Sequence, residues 1–327
     1  MGWFLALLKP AGICFRIVGS AVRKLRDVPV IDDWCCRVES GLLNPVVVRQ
    51  IRNPTDGDLH VALDLYDERI PEDERFPRSD IINWIAENRQ LSRHDRISPR
   101  NYLLVAKFQR KVRAFVLFHF YPARKIAFFA YMVAEKGTKG NNHSKVSARL
   151  VDRVASLVKG HPMVRNCEML IFEVEDPRVS ITPAQRRQQL HDIARVQLFC
   201  ALAAACGCPL IALDFPYLQP QLSIPDGESG AEKPLLLLVA PIDRQHAKGS
   251  WEKGEVLRIL SFIYEELYPK GFSPVEELTQ AYKEYCSGLY RRMERSLADS
   301  IKVVDPAYLT CGRNIRKSVR RRKSEVG

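Results

Sequence analysis

Residues 102–158 constrain the fold more than any other part of the chain. Three apolar runs, Tyr102–Phe108, Val112–Tyr121 and Ile126–Val133, follow one another with only Gln109-Arg110-Lys111 and Pro122-Ala123-Arg124-Lys125 between them. Connections that short force antiparallel pairing. The third run enters a polar loop, Ala134-Glu135-Lys136-Gly137-Thr138-Lys139-Gly140-Asn141-Asn142-His143-Ser144. An amphipathic helix over 146–159 follows, with Val146, Leu150, Val154, Leu157 and Val158 on its apolar side. A basic, glycine-bearing loop that feeds a helix N-terminus suits pyrophosphate. Its backbone N–H groups point outward and the helix dipole favours negative charge. An ordinary solvated turn is the other reading.

The flanking sequence completes an α+β pattern. Pro45–Arg52 reads as a strand, and 59–70 and 79–88 as helices. Beyond the amphipathic helix, Glu168–Val174 reads as a buried strand. Pro183–Cys206 is a long helix closed by Gly207. Leu210–Leu213 and Leu235–Ile242 read as strands around an exposed Pro/Gly/Ser loop, 220–234. From about Ser250 the pattern becomes helical, over Val256–Tyr268 and Pro274–Ile301, with Ser273-Pro274-Val275-Glu276 as a start signal.

At 327 residues the chain can hold one large domain or two ordinary ones. The formal charge of +12 points to an anionic partner such as nucleic acid, an acidic membrane surface or a phosphorylated cofactor, or to a basic surface. Nine cysteines in a chain this long do not form a disulfide framework. Cys200, Cys206 and Cys208 sit in an apolar helical run, so a reducing, cytoplasmic location is expected. Neither the cysteines nor the seven histidines show metal-ligand spacing, and no structural metal is expected.

Segment 1–27 combines Trp3, Phe4, Leu7, Leu8 and Phe15 with Lys9, Arg16, Arg23, Lys24 and Arg26. It fits neither a secretory signal nor an N-myristoylation motif. A basic amphipathic helix of this kind can lie on an anionic membrane or pack on the domain body. The tail 313–323, with Arg320-Arg321-Arg322-Lys323, is a second basic cluster that nucleic acid or an anionic membrane could engage. It lacks aromatic residues for base stacking.

The order strand, two helices, three antiparallel strands, basic loop, helix, strand, helix, strand, strand resembles the GNAT acyltransferase superfamily over residues 45–242. The resemblance implies a GNAT-like α+β fold: a mixed, mostly antiparallel sheet flanked by helices. The family signature, [Arg/Gln]-x-x-Gly-x-[Gly/Ala], aligns with Lys139-Gly140-Asn141-Asn142-His143-Ser144. Lys139 stands for Arg or Gln, Asn142 for the first glycine and Ser144 for the last small residue. Asn visits the left-handed region readily and Ser can cap a helix. A second likeness lies in Glu173-Val174-Glu175-Asp176-Pro177 and Tyr217-Leu218-Gln219-Pro220, an acidic strand end and a Tyr-x-Gln-Pro element found in one group of GNAT-like proteins.

The resemblance implies acetyl-CoA as co-substrate. Its pyrophosphate would be held by Lys139, Gly140, Asn141, Asn142, His143, Ser144 and Lys145. Its pantetheine and thioester would be held at a splayed point of the fourth strand, Tyr131, Met132, Val133 and Ala134. Glu173 and Glu175, which strand alternation puts on one face, are the candidate bases, ahead of Glu135. A carboxylate near apolar surface can have its pKa raised toward that task, and solvated ion-pair partners are the alternative role. The family's tyrosine acid aligns with Cys200, a thiol in apolar surroundings, which leaves Tyr217 or water for the leaving thiolate.

The expected activity is transfer of an acyl group, acetyl in the first instance, from CoA to a small-molecule or protein amine. The second reading is a GNAT-like binding module without efficient catalysis. The expected organisation is an arm and connector (1–44), an acyltransferase domain (45–248) and a helical extension with a basic tail (249–327).

Overall fold

Both short connections turn tightly without glycine. Gln109 and Arg110 adopt φ of 51° and 65°, and Lys125 adopts 56°. Left-handed residues at the tip match the right-handed twist of the strands they join. The computed structural model describes residues 46–92, 95–135, 141–161, 164, 166–177, 185–222, 233–242, 249–271 and 276–310. The arm 1–27, the remaining connector, loop residues 136–140, most of the 220–234 loop and the tail 313–323 lie outside them.

The described elements run as follows. β1 (Val46–Ile51) leads to α1 (Gly57–Arg69), whose Asp56 side chain accepts from the Asp58 N–H as an N-cap, and then to α2 (Arg78–Gln90). The meander is β2 (Arg100–Phe108), β3 (Lys111–Tyr121) and β4 (Ile126–Ala134). Then come α3 (Asn141–Gly160), β5 (Met169–Glu175), α4 (Gln185–Cys206), β6 (Ile211–Leu213), β7 (Tyr217–Gln219) and β8 (Lys233–Pro241). The final part is β9 (Ser250–Glu252), α5 (Lys253–Ser261), a π-helical turn (Phe262–Leu267), α6 (Tyr268–Gly271), α7 (Glu276–Ser296), β10 (Ser300–Val304) and α8 (Pro306–Thr310).

One mixed, mostly antiparallel sheet of ten strands contains them, in the order β1-β2-β3-β4-β5-β8-β6-β10-β9 with β7 also on β8. Among the described strands only β4 and β5 pair in parallel. Helices cover both faces, and the fold is α+β. On the first face α3 and α4 pack on Leu104, Val116, Phe118, Phe129, Leu170 and Phe172. On the second face two separate covers meet the sheet. α1 and α2 bury Leu103, Val105, Phe115 and Leu117. Residues from 251 onward bury Tyr121, Phe128, Ile171 and Val239.

On the first face a column of aromatic rings crosses the strands. Tyr102 and Phe118 stack at 4.9 Å, Phe118 and Phe129 at 5.0 Å, and Phe129 and Phe172 at 4.8 Å. These spacings match the distance between neighbouring strands, so each ring sits on the next strand's ring. Phe199 of α4 ends the column, 4.4 Å from Phe172.

Three sequence expectations are corrected. The helix expected over Pro274–Ile301 ends at Ser296, and Ile301 belongs to β10, which pairs with β6 and β9. Sheet pairing of Ile301-Lys302-Val303-Val304, three of them β-branched, overrides the helical spacing. The helix expected over Val256–Tyr268 is α-helical only to Ser261 and then widens into π-helical turns. The helix after the basic loop starts at Asn141, so Ser144 lies in its first turn and is not its N-cap. First-turn N–H groups lack helical partners in any case, so polar residues suit that turn as well as the cap. Gly207 closes α4 as expected, at φ 79°.

Candidate active site

The parallel pairing of β4 with β5 runs from Ile126–Met169 to Phe129–Phe172 and stops there. Beyond it β4 stays on β3 through Ala134, and β5 stays on β8 through Glu175. A gap therefore opens inside the sheet. At the same level Leu117 pairs with Tyr131 but Phe118 pairs with Phe129, so Ala130 is a bulge without a β3 partner. A bulge breaks the side-chain alternation. Ala130 and Tyr131 both pack toward the α1–α2 cover, and from Ala130 onward the edge of β4 away from β3 has no β5 partner. The residues of the expected splay, Tyr131–Ala134, lie just beyond the end of the β4–β5 pairing, and the first position without a β5 partner is Ala130. Tyr131 and Met132 line the cavity described next, and the Tyr131 hydroxyl donates to the Glu74 carbonyl at 2.8 Å. Val133 is buried under α1, and the Ala134 carbonyl accepts from Arg69 Nε at 3.2 Å.

A cavity of about 420 Å³ lies at this gap. It occupies the place on the second face where the two covers fail to meet. Trp84 and Phe76 bound it on one side and Leu267 and Tyr268 on the other, with Glu173, Glu175, His119 and Ala130 on its floor. Val174, Leu198 and Phe199 line it as well, so it reaches through the gap to the first face. Its size is that of a small-molecule site.

Glu173 is buried at the cavity with three hydrogen-bond donors on its carboxylate. Tyr217 donates to Oε1, and Tyr268 and Gln219 donate to Oε2 at 2.6 and 3.1 Å. Gln219 also donates to the Tyr268 hydroxyl at 2.9 Å. Burial pushes the Glu173 carboxyl up and the three neutral donors pull it part of the way back, leaving it at about 6. A carboxylate offers about four lone-pair sites, so with three filled Oε1 keeps one for a further proton. Burial, followed by the nearby Glu173 charge, holds Tyr217 well above the usual tyrosine range, and Tyr217 is not among the cavity's lining residues.

Glu175 shares the face and has the opposite surroundings. Lys233 Nζ lies 2.6 Å from Oε1 and also pairs with Glu74, while Arg195 Nη1 stands 3.9 Å from Oε2. Glu135 is paired with Arg113. Cys200 is partly exposed, its thiol is pushed up by burial, and it is not among the lining residues. Cys167, Cys200, Cys206, Cys208 and Cys286 are free thiols.

The expected phosphate cradle falls mostly outside the described residues. Lys139 and Gly140 are not described, Asn141, Asn142, His143 and Ser144 are helical in backbone, and Lys145 is exposed on the first turn of α3. Among the described residues no group of three or more His, Cys, Asp and Glu could hold a metal ion, and no helix is long and apolar enough to cross a membrane.

Several residues of the cavity escape the sequence patterns. Tyr268 and Gln219 complete the Glu173 shell; Gln219 lies in the Tyr-x-Gln-Pro element, and nothing local marks Tyr268. His119 and Asn101 are buried polar residues inside apolar strands. That interruption of the apolar runs is the one signal they give.

A scan of protein-family models and a search of curated proteins find no match for the chain. Solved structures do align with it. A putative GNAT-family acetyltransferase from Bacteroides thetaiotaomicron is 14% identical over 69% of this chain and 99% of its own, with a TM-score of 0.43. A putative acetyltransferase from Salmonella typhimurium with its cofactor acetyl-CoA is 13% identical over 61% and 94%, at 0.34. The ribosomal-protein-alanine N-acetyltransferase from Brucella melitensis is 14% identical over 60% and 99%, at 0.36.

Proposed function

We propose that the chain is an acyl-CoA-dependent N-acyltransferase that moves an acetyl group from acetyl-CoA to an amine, with Glu173 as the base. One observation carries the proposal. The β4–β5 gap, the Ala130 bulge and the enclosed Glu173 carboxylate coincide at one level of the sheet.

A gap between two strands presents unpaired backbone N–H and C=O groups, which an extended amide-bearing chain such as pantetheine can satisfy as an added strand. The pyrophosphate would then lie toward the N-terminus of α3. There the dipole and Lys145 favour it, and Lys139, Gly140, Asn141, Asn142, His143 and Ser144 complete the cradle. The acceptor amine enters from the second face. Glu74, Glu87, Glu173 and Glu175 outnumber Lys233 and Arg195 there, which favours a cation.

A carboxyl near 6 is ionised at neutral pH and still basic enough for proton transfer. Glu173 takes the ammonium proton, directly or through a water. The nitrogen lone pair attacks the thioester carbonyl carbon, and a backbone N–H at the bulge meets the developing oxyanion. The C–S bond breaks, the nitrogen passes its second proton through a water to the leaving thiolate, which departs as the thiol, and Glu173 releases the first proton to solvent. Tyr217, Tyr268 and Gln219 position the carboxylate. In this reading 45–248 is the acyltransferase unit, and the extension from 249 closes the acceptor end through Leu267 and Tyr268.

Calorimetry with acetyl-CoA tests the reading. Saturable binding is expected, weakened about tenfold in the Lys139→Ala/Lys145→Ala variant, as loss of two phosphate-facing charges implies. No binding at millimolar cofactor overturns it. Binding without transfer to any amine in a broad panel would leave a CoA-binding module.

A further inference from the structure

His119 lies on the cavity floor with one ring nitrogen committed and the other free. Asn101 Nδ2 donates to the Trp84 carbonyl at 3.0 Å, which fixes the amide orientation and turns Oδ1 toward His119 Nδ1, 2.7 Å away. The reverse orientation would set two acceptors against each other. Asn88 holds Asn101 in turn, accepting from its backbone N–H at 3.0 Å and donating to its carbonyl. An amide oxygen only accepts, so Nδ1 carries the ring proton and Nε2 carries a lone pair. Burial pushes the ring down to about 4, so it stays neutral at physiological pH. The residue is 6% exposed, and among the described residues its one hydrogen bond is that to Asn101. Nε2 is therefore a fixed acceptor on a cavity-lining ring that the proposed transfer chemistry does not use.

The surroundings of this acceptor are aromatic. Trp84 meets the His119 ring edge-on at 4.9 Å, and Phe76 meets Trp84 at 5.1 Å and Tyr131 at 6.3 Å. His119 pairs with Phe128 across β3–β4, and Phe128 with Ile171 across β4–β5, two residues before Glu173. Two strand spacings and two residues along the strand separate the His119 and Glu173 backbones by roughly 12 Å. Both side chains stand on the same face with the aromatic wall beside them.

We propose that His119 Nε2 selects the acceptor: a small primary amine with an aromatic or apolar body and a hydroxyl or N–H donor at the end remote from the reacting nitrogen. This rests on the reading that the amine nitrogen lies at Glu173. The aromatic wall takes the body, and it suits a cation as well as a ring. A site built around a buried acceptor discriminates against the analogue that lacks the donor, because the acceptor is then left dry and unpaired. His119 is a specificity-determining residue here, and the proton of the transfer does not pass through it.

The experiment compares tyramine with phenethylamine and 6-aminohexan-1-ol with hexylamine. Each pair differs by one hydroxyl. Both binding by calorimetry and transfer from acetyl-CoA are measured. The wild-type protein is expected to favour the hydroxylated member about tenfold or more, the discrimination that one buried hydrogen bond supplies. His119→Phe should reduce the preference below about threefold. His119→Gln should retain most of it, because its amide can donate to Asn101 and present a carbonyl to the cavity. Nitrogen NMR of the unaltered protein gives a reading that needs no variant. Tyramine should shift the Nε2 signal of one Nδ1–H histidine, and phenethylamine should not. Equal binding of both pair members, or a preference that survives in His119→Phe, overturns the inference. Preferential, His119-dependent binding without any acetyl transfer sustains it and overturns the transferase reading instead. Transfer that ignores the hydroxyl does the reverse.

Discussion

Glu173 and Glu175 are two residues apart on one strand, face the same cavity, and are held by opposite chemistry. Among the described residues, neutral groups alone bond Glu173: two tyrosine hydroxyls and one glutamine amide. Cations surround Glu175: Lys233 at 2.6 Å and Arg195 at 3.9 Å. Neutral donors stabilise a carboxylate less than a full positive charge does, so burial wins at Glu173 and its carboxyl rises. Under the proposed mechanism, one strand would supply a base and a structural ion pair side by side.

The contrast breaks most visibly in turnover. Glu173→Gln is expected to lower kcat by about 10²–10³ with acetyl-CoA affinity unchanged, the range for loss of a positioned base. Glu175→Gln should cost less than about tenfold, because it disturbs packing and charge but removes no base. Steady-state kinetics beside cofactor titration decide it, and equal losses from both variants would erase the distinction.

Stability supplies a second, smaller test. The folded pKa of Glu173 is raised from 4.5 to about 6. The stability linked to this group is therefore complete below 4.5 and is lost as pH rises through 6. Glu173→Gln should then stabilise the fold at pH 7.5 by on the order of 2 kcal/mol, since Tyr268 can turn its hydroxyl to accept from the new amide. The gain should vanish below about pH 4.5. Denaturant melts at both pH values measure it, and a gain independent of pH would mean that ionisation of Glu173 is not its source.

The finest test concerns the donors. Wild-type kcat should rise with pH through about 6 as Glu173 ionises. Tyr268→Phe removes a donor to the charged form and so should move that limb upward by up to about one unit. A downward move, or none, in the pH–rate profile would show that Tyr268 does not tune Glu173.

Most of this site was half legible in the chain. The meander was readable because its connections are too short for anything but hairpins, and Glu173 and Glu175 because strand alternation puts them on one face. The Tyr217-Leu218-Gln219-Pro220 element was visible as a motif, yet its task was not: Tyr217 serves Glu173 from behind rather than facing the cavity. The bulge at Ala130 was hidden because an extra residue in a run of apolar residues leaves the apolar pattern intact. Tyr268 was hidden for a different reason. It reaches Glu173 across 95 positions of chain, and only the packing of the C-terminal helices on the sheet brings them together. His119 is only a polar interruption of an apolar run, and its tautomer depends on Asn101 and Trp84, which no local pattern links.

The stacked rings on the other face have a consequence for redesign. Phe129 and Phe172 form the last ring pair before the two parallel strands part company. They act like the slider of a zip, marking where the seam ends. The slot thus begins at an aromatic pair. Moving that pair two residues along both strands would deepen or shorten the slot by about 7 Å, the repeat of one strand face. If the proposed transfer holds, such a shift would test whether slot depth sets the length of acyl group accepted.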